Sequence, residues 1–187
     1  MVLKKEFYFV RHGQTDHNKA ILDMEAAGKV NIIIDDPGDI PLNATGRKQA
    51  EDIALSIARL PVKTVCVSPL LRAKQTHAII SGGRELPHVE IAEFKECSPI
   101  EWMFMEGKGE KLLEDCYAPV KGFIDRVALG MEKALMHPGP VMIVAHGGVH
   151  IALCALMKIS NHDWILDNCG IVHFVATHVD SWQARLL

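Results

Sequence analysis

The sequence predicts one α/β domain over residues 1–187, built as a three-layer α/β/α sandwich around a mostly parallel sheet. A chain of 187 residues has room for one sizeable core. Its apolar fraction of 49% and charged fraction of 23% are typical of globular proteins and unlike those of disordered chains. Short apolar runs alternate with helical patterns along the chain, which is the order expected when helices cover both faces of a parallel sheet.

Four runs have the composition of strands that are buried on both faces. They are rich in β-branched or aromatic residues and cover residues 7–10, 62–67, 141–145 and 171–176. Such strands need helices on either side, because a parallel sheet cannot leave a face in water.

Two helices are predicted from apolar stripes at helical spacing. The first carries Ala50, Ile53, Ala54, Ile57 and Ala58, and its start is expected at a cap formed by Asn43 or Thr45. The second stripe runs through residues 120–135, opening near Pro119 and closing before residues 137–140.

Polar residues follow three of the predicted strands. Arg11 and His12 come after the first strand, Arg72 follows the second, and His146 follows the 141–145 strand. Ligands of such sheets bind at the carboxyl ends of the strands, so these four side chains are expected to converge at one edge.

Two arginines beside two histidines predict an anion site, with phosphate as the natural ligand and sulfate as an ion that also fits. The arginine fork matches phosphate oxygens. If Gly147 opens a helix, its free N–H groups add to the pocket. One histidine could attack phosphorus, and a nearby carboxyl group would then be needed to protonate the departing alkoxide.

Four sequence blocks resemble the motifs of the histidine phosphatase superfamily, the phosphoglycerate-mutase-like group. They are FVRHGQTDHN at residues 9–18, PLNATGRKQA at 41–50, VSPLLRAKQT at 67–76 and VAHGG at 144–148. The blocks occur in family order and span nearly the whole chain. The resemblance implies a phosphoglycerate-mutase-like fold and phosphoryl-transfer chemistry.

The resemblance also assigns roles to individual residues. His12 would be the nucleophile that becomes phosphohistidine. Arg11, Arg72 and His146 would bind the phosphoryl oxygens, and Asn18 would help to orient the phosphate. Thr15 is left outside the site, because a helix-capping role is equally compatible with its position.

The general acid falls in a segment that departs from the family pattern. The family places a glutamate in a Leu-x-Glu-x-x-x-Gly-x-Trp-Glu-Gly segment, and the nearest match makes Glu96 the acid. Ile100 stands where the family has glycine, so Glu93 and Glu101 remain alternatives.

The expected activity is that of a metal-independent phosphatase, a phosphomonoester hydrolase with no cofactor. A mutase of the phosphoglycerate type is the alternative within the family, disfavoured because only about forty residues follow His146. Two other classes stay open. One is a metal-dependent hydrolase built on His12, His146 and His150, and the other is a phosphate-binding protein without catalysis.

The expected partner is a small phosphorylated substrate whose identity, like the oligomeric state, is left open. The net charge of −3 and the scattered lysines and arginines argue against nucleic acid or a membrane as partner. With no signal segment or membrane-length apolar run, we expect a cytoplasmic protein. Specificity is expected from residues 19–41, as a flap or an acidic loop, and from the apolar part of residues 97–118.

The remaining reactive residues are expected to be structural. The five cysteines, at positions 66, 97, 116, 154 and 169, include no Cys-x-x-Cys pair and are predicted to be buried free thiols. His150 follows His146 at metal-ligand spacing, but the zinc-protease pattern needs Glu where Gly147 stands, so a structural role is favoured.

Overall fold

A six-stranded sheet forms the centre of the part of the chain that the structure describes. The structure is a computed structural model, and it describes residues 5–28, 38–106, 108, 112, 117–178 and 181–187. The strand order is β3-β2-β4-β1-β5-β6. The strands are β1 Phe7–Arg11, β2 Thr64–Val67, β3 His88–Glu90, β4 Val141–Ala145, β5 Ile171–His178 and β6 Ser181–Leu186.

Six α-helices lie within the described ranges. They are α1 Asp16–Ala26, α2 Ala44–Ala58, α3 Leu71–Ile80, α4 Pro99–Met105, α5 Ala118–Leu135 and α6 Gly147–Leu156. A 3-10 turn, Ala92–Phe94, precedes α4.

The sheet separates two apolar clusters, as expected for three layers. Side chains of β1 alternate between the faces: Phe7 and Phe9 pack with α5 and α6, whereas Tyr8 and Val10 pack with α2 and α3. The apolar stripe of α5 and nearly all of α6 are buried in the first cluster. The predicted three-layer α/β/α architecture is therefore confirmed.

The sheet is mostly parallel and has an antiparallel edge. β1 pairs with β4, and β2 pairs with both β3 and β4, in parallel, whereas β5 pairs antiparallel with β1 and with β6. The predicted strand at 62–67 begins only at Thr64, because Thr64 is the first residue that is paired with a β4 residue, Val141. Asn43, not Thr45, caps α2, through a side-chain oxygen that accepts the N–H of Gly46.

Part of the predicted flap or acidic loop is helical. Residues 19–26 belong to α1, whose lack of buried residues explains why no apolar stripe marked it in the sequence. Asp39 accepts a hydrogen bond from the N–H of Leu71 at the start of α3. Asp35 and Asp36 lie outside the described residues.

Four of the five cysteines are buried free thiols, as predicted: Cys66, Cys97, Cys154 and Cys169. Cys116 lies outside the described residues. Within the ranges that the structure describes, no helix combines the length and apolar composition needed to cross a bilayer.

Candidate active site

His12 lies directly after β1, with a fixed tautomer. The backbone N–H of His12 donates to the carbonyl of Ala145 at the end of β4 (2.9 Å). Its ring Nδ1 lies 2.8 Å from the carbonyl oxygen of Gly13. A carbonyl oxygen can only accept, so Nδ1 carries the proton and Nε2 holds the free lone pair.

Burial keeps the His12 ring neutral. The residue is only 2% exposed. Burial, reinforced by the positive charges of Arg11 and Arg72, holds the pKa of His12 well below its usual range. A neutral imidazole with an unprotonated Nε2 is the form that can act as a nucleophile.

Three distant parts of the chain brace the segment that carries His12. Thr76 Oγ1 accepts the N–H of Gly13 (3.0 Å), and Gln49 Oε1 accepts the N–H of Gln14 (2.9 Å). Asn168 Nδ2 donates to the carbonyl of His12 (3.0 Å). Gln49 and Thr76 belong to the blocks identified in the sequence, and here they serve as supports of the loop.

Two glycines let this segment pass closely over α2. A Cβ at Gly13 would lie 2.4 Å from the carbonyl oxygen of Gly46, and a Cβ at Gly46 would lie 2.0 Å from that of Gln14. Neither position has room for a side chain, so the glycines of the first two blocks are required by backbone contact.

His146 is the second buried histidine of the site. It follows β4 and precedes α6, and its Nε2 lies 2.7 Å from Ser68 Oγ. Its Nδ1 is buried and has no hydrogen-bond partner among the described residues. Burial, and then the neighbouring His12 and Arg72, holds the pKa of His146 well below its usual range.

The two arginines are also largely removed from water. Arg72, on α3, is 5% exposed and donates to the carbonyl of Gly38 (3.1 Å). Arg11 donates through Nη1 to the carbonyl of Leu166. The Nε of Arg11 is buried with no hydrogen-bond partner among the described residues. A buried donor of this kind favours an anionic ligand, because leaving it unpaired costs free energy.

Glu96 lies on the loop between the 3-10 turn and α4. Its Oε1 accepts the N–H of Cys97 (3.0 Å) and the N–H of Gly148 at the start of α6 (3.1 Å). Burial raises the pKa of the Glu96 carboxyl, although the hydrogen bond from the N–H of Cys97 and the positive charge of Arg11 act in the opposite direction.

The other two candidate acids have different contacts. Glu93 forms an ion pair with Lys133 (2.5 Å), whose hydrogen bond lowers the pKa of Glu93. Glu101 completes the capping box of α4, where its Oε2 accepts the N–H of Ser98 (2.6 Å). Glu96 is therefore the candidate that lies with the two histidines.

Three candidates converge closely. One ring nitrogen each from His12 and His146 and one carboxylate oxygen of Glu96 all lie within 4.8 Å of one another. The planes of the two rings are tilted by 60°, with centroids 5.1 Å apart. Such a trio could hold a metal ion as well as a phosphoryl group, but Arg11 and Arg72 favour an anion.

Asn18 has a structural role in addition to any contact with ligand. It is the N3 residue of α1, where Oδ1 accepts the N–H of Thr15, the N-cap (3.2 Å). Asn168 Nδ2 also donates to this oxygen (3.3 Å). Thr15 is buried in its cap, consistent with leaving it outside the site.

Gly147 is the first residue of α6, as predicted, and lies close to Trp102. A Cβ at Gly147 would lie 2.9 Å from the indole of Trp102 and 3.6 Å from the guanidinium carbon of Arg11. Trp102 therefore borders the start of α6. Met105, in the same apolar segment, is buried in the core, whereas Met103 is exposed.

Both ring nitrogens of His150 contact groups other than His12, Glu96 and His146. Its Nδ1 lies 2.9 Å from the carbonyl oxygen of Trp164, and its Nε2 lies 3.7 Å from Cys154 Sγ. Burial lowers the pKa of His150 to about 4. The group of three potential ligands described above contains Glu96 in place of His150, so the geometry does not favour the three-histidine metal site.

Sequence reasoning missed three residues that contact the site's segments. They are Ser68 as the partner of His146, Asn168 as a donor to the His12 carbonyl, and Arg126, which donates to backbone carbonyls of the Glu96 loop. The serine stands inside the third block, and its position directly after a strand is the signal that could have identified it. Asn168 and Arg126 carry no such signal, because they belong to no block and reach the site only through tertiary contacts.

A Gly148→Ala substitution is expected to destabilise the protein and displace the loop of Glu96. The added methyl would lie 2.5 Å from both Glu96 Oε1 and Cys97 Sγ, where there is no room for it. Overpacking of this kind costs about 1–3 kcal/mol. The measurement is the free energy of unfolding from denaturant titration.

The matched control is Gly122→Ala in α5, where a Cβ would meet nothing within 4 Å. This change is expected to be neutral or to stabilise by roughly 0.5–1 kcal/mol, since alanine is the better helix former. Equal effects of the two substitutions would show that the crowding at Gly148 is unimportant.

Comparison with known proteins places this geometry in a family. A sequence model of the histidine phosphatase superfamily, branch 1, matches residues 7–187. The protein named "Uncharacterized phosphatase PhoE" of Bacillus subtilis is 33% identical over 178 residues, which cover 91% of this chain and 86% of that protein.

Solved structures show the same fold. An Escherichia coli protein described as "a putative alpha-ribazole-5'-P phosphatase" superposes with a TM-score of 0.67 at 18% identity, and the match covers 98% of this chain and 96% of that protein. A mycobacterial glucosyl-3-phosphoglycerate phosphatase in complex with VO3 superposes with a TM-score of 0.65 at 22% identity, and the match covers 97% of each chain. These relatives support the assignment of this chain as a phosphatase. Because the family model matches nearly the whole sequence, this chain belongs to branch 1 of the histidine phosphatase superfamily.

Proposed function

We propose that this protein is a metal-independent phosphomonoester hydrolase that works through a phosphohistidine at His12. The observation that carries the proposal is the meeting of His12, Glu96 and His146 within 4.8 Å, beside the buried Arg72 and the half-buried Arg11. The tautomer of His12 and its low pKa supply an unprotonated Nε2 at neutral pH.

The first chemical step is transfer of the phosphoryl group to His12. The Nε2 lone pair forms a bond to phosphorus while the bond from phosphorus to the ester oxygen breaks. Glu96 donates a proton to that oxygen, so the substrate leaves as a neutral alcohol. Because Oε1 accepts two backbone N–H groups, the transferable proton lies on Oε2.

The second step returns the enzyme to its starting state. A water molecule attacks phosphorus, the bond to Nε2 breaks, and the ionised Glu96 takes a proton from that water. Inorganic phosphate leaves, and both side chains regain their original protonation. One carboxyl group thus serves as acid and then as base.

Stabilisation of the transferring oxygens is assigned to the cationic side of the pocket. Arg11 and Arg72 supply charge-assisted donors. The Ser68 hydroxyl donates a hydrogen bond to Nε2 of His146, so the ring proton lies on Nδ1, which then donates to the phosphoryl group. The N–H of Gly147, at the N-terminus of α6, adds a further donor to the phosphoryl group. Asn18 contributes its amide Nδ2, since its Oδ1 is held by α1.

The similarity to a solved phosphatase structure supports the expectation that the substrate is a small phosphorylated molecule. The mycobacterial structure is a complex of a glucosyl-3-phosphoglycerate phosphatase with VO3, a phosphate-like oxyanion. We infer that this chain also takes a small phosphomonoester.

The test is turnover of an aryl phosphate in excess chelator, with trapping of the enzyme-bound phosphate. We expect activity to survive chelation, and alkaline quenching to leave a labelled phosphoenzyme that is lost in acid. Loss of activity that a divalent metal restores would instead indicate a metal-dependent hydrolase. Phosphate binding without turnover of any ester would indicate a binding protein, and transfer between acceptors faster than hydrolysis would indicate a mutase.

A further inference from the structure

We propose that Arg126, on α5, is a positioning residue for catalysis, because it holds the backbone of the loop that presents Glu96. The inference rests on the proposed role of Glu96 as the acid. It concerns a residue outside the four sequence blocks, on a helix that otherwise contributes to the core.

The guanidinium of Arg126 binds three carbonyl oxygens of one short segment. Its Nη1 donates to the carbonyls of Glu93 (2.8 Å) and Lys95 (2.9 Å), and its Nη2 donates to that of Glu96 (3.2 Å). One side chain therefore satisfies most of the backbone acceptors in residues 93–96.

This segment needs such support because it is irregular. Glu96 lies between the end of a 3-10 turn and the start of α4, where no ladder of backbone hydrogen bonds fixes its position. Its carboxyl is held at one end by the N–H groups of Cys97 and Gly148. Arg126 holds the other end, the main chain, so the acid is fixed from both sides.

Arg126 is itself well placed for the task. Its guanidinium lies over the ring of Phe123, 4.8 Å from the centroid, one helical turn earlier. One turn later, a Cβ at Gly130 would lie 2.7 Å from the ring of Phe94, so α5 approaches the loop closely. Lysine could not reproduce this contact, because an ammonium group lacks the planar fork that spans three acceptors.

Lys133 provides a matched control on the same helix. It forms an ion pair with the Glu93 side chain of the same loop, and half of the lysine side chain is exposed. Ion pairs whose lysine remains half exposed to solvent contribute little to stability. Lys133→Met thus removes a cation from α5 without touching the carbonyls that Arg126 binds.

The experiment measures kcat/KM for an alkyl phosphate and for nitrophenyl phosphate, in Arg126→Lys and Arg126→Met, each alone and combined with Glu96→Gln. For the alkyl ester, which needs the acid, we expect a loss of about 10- to 100-fold, the scale of a misplaced catalytic group. For the nitrophenyl ester we expect less than about a third of that loss, because its leaving group needs little protonation. In the Glu96→Gln background the Arg126 changes should have no further effect.

Two further readouts separate positioning from a general structural role. The inhibition constant of inorganic phosphate is expected to stay within about 2-fold, since the phosphate donors do not include Arg126. Amide exchange of Cys97 and Gly148 is expected to accelerate in both Arg126 variants and to be unchanged in Lys133→Met.

The inference is overturned by equal losses on the two esters, by additive losses with Glu96→Gln, or by wild-type activity in Arg126→Lys. Unchanged amide exchange overturns it as well, even if no ester is turned over. Wild-type activity of the Glu96→Gln variant would contradict the proposed role of Glu96 as the acid. The amide exchange measurement would still decide whether Arg126 fixes the loop.

Discussion

His12→Ala is expected to abolish turnover, lowering kcat/KM by at least about 10⁴-fold for alkyl and aryl phosphates alike. Leaving-group activation cannot rescue this variant, because without the imidazole no bond to phosphorus can form. The measurement is steady-state hydrolysis together with alkaline trapping of the phosphoenzyme, which should disappear.

The control for this change is His88→Ala, which removes an exposed imidazole from β3, at the opposite edge of the sheet from β6. Wild-type turnover is expected for it. Circular dichroism verifies that His12→Ala is folded. Direct measurement of inorganic phosphate binding, which needs no turnover, verifies that Arg11 and Arg72 are still in place. Labelled phosphate that remains bound covalently in His12→Ala would assign the nucleophile to another residue.

Glu96→Gln is expected to lower kcat/KM by about 10²- to 10⁴-fold for esters with poor leaving groups. Glutamine retains an oxygen for the N–H groups of Cys97 and Gly148, so the loop keeps its contacts, but it has no proton to release. Aryl esters should still phosphorylate the enzyme. Since the water attack also uses Glu96, their hydrolysis should show a burst of released phenol followed by a slow steady state.

The same substitution is expected to change the pH profile. His12 must be neutral to attack, and its lowered pKa places the acidic limb well below the usual range of histidine. Glu96 must be protonated, so activity declines as pH rises through its raised pKa. Glu96→Gln should therefore lose the basic limb and keep the acidic one.

Glu93→Gln and Glu101→Gln are the matched controls, because both carboxylates lie near Glu96 in sequence and are engaged elsewhere. They are expected to retain the profile and rate of the wild type. If either one loses the basic limb while Glu96→Gln keeps it, the acid is assigned wrongly.

The strand ends could be predicted from sequence because each is marked by composition. Apolar runs end at Arg11-His12, at Ser68 and at His146. These residues come together if their strands are parallel and adjacent, and β1, β4 and β2 are neighbouring parallel strands. The short β3 and the solvent-facing α1 carry no comparable pattern. Neither has a buried residue, so no apolar period marks it.

The choice among three glutamates could not be made from spacing. Glu93, Glu96 and Glu101 fall within nine residues, and their side chains diverge because a 3-10 turn, a loop and a helix start follow one another there. What selects Glu96 is its contact with Gly148, 52 residues later in the chain. Such long-range contacts, like those of Asn168 and Arg126, depend on the folded arrangement rather than on local sequence.

The strand order has a consequence for the protein while it is being synthesised. β1 leaves the ribosome well before its neighbours β4 and β5, which lie far later in the chain. The carbonyl of Arg11 likewise has to wait for the N–H of Cys169 that it accepts. At cellular translation rates the nascent β1 waits on the order of ten seconds for a partner. Its apolar residues Phe7 and Phe9 lack their packing partners on α5 and α6 during that interval, and we expect the growing chain to need protection from aggregation there.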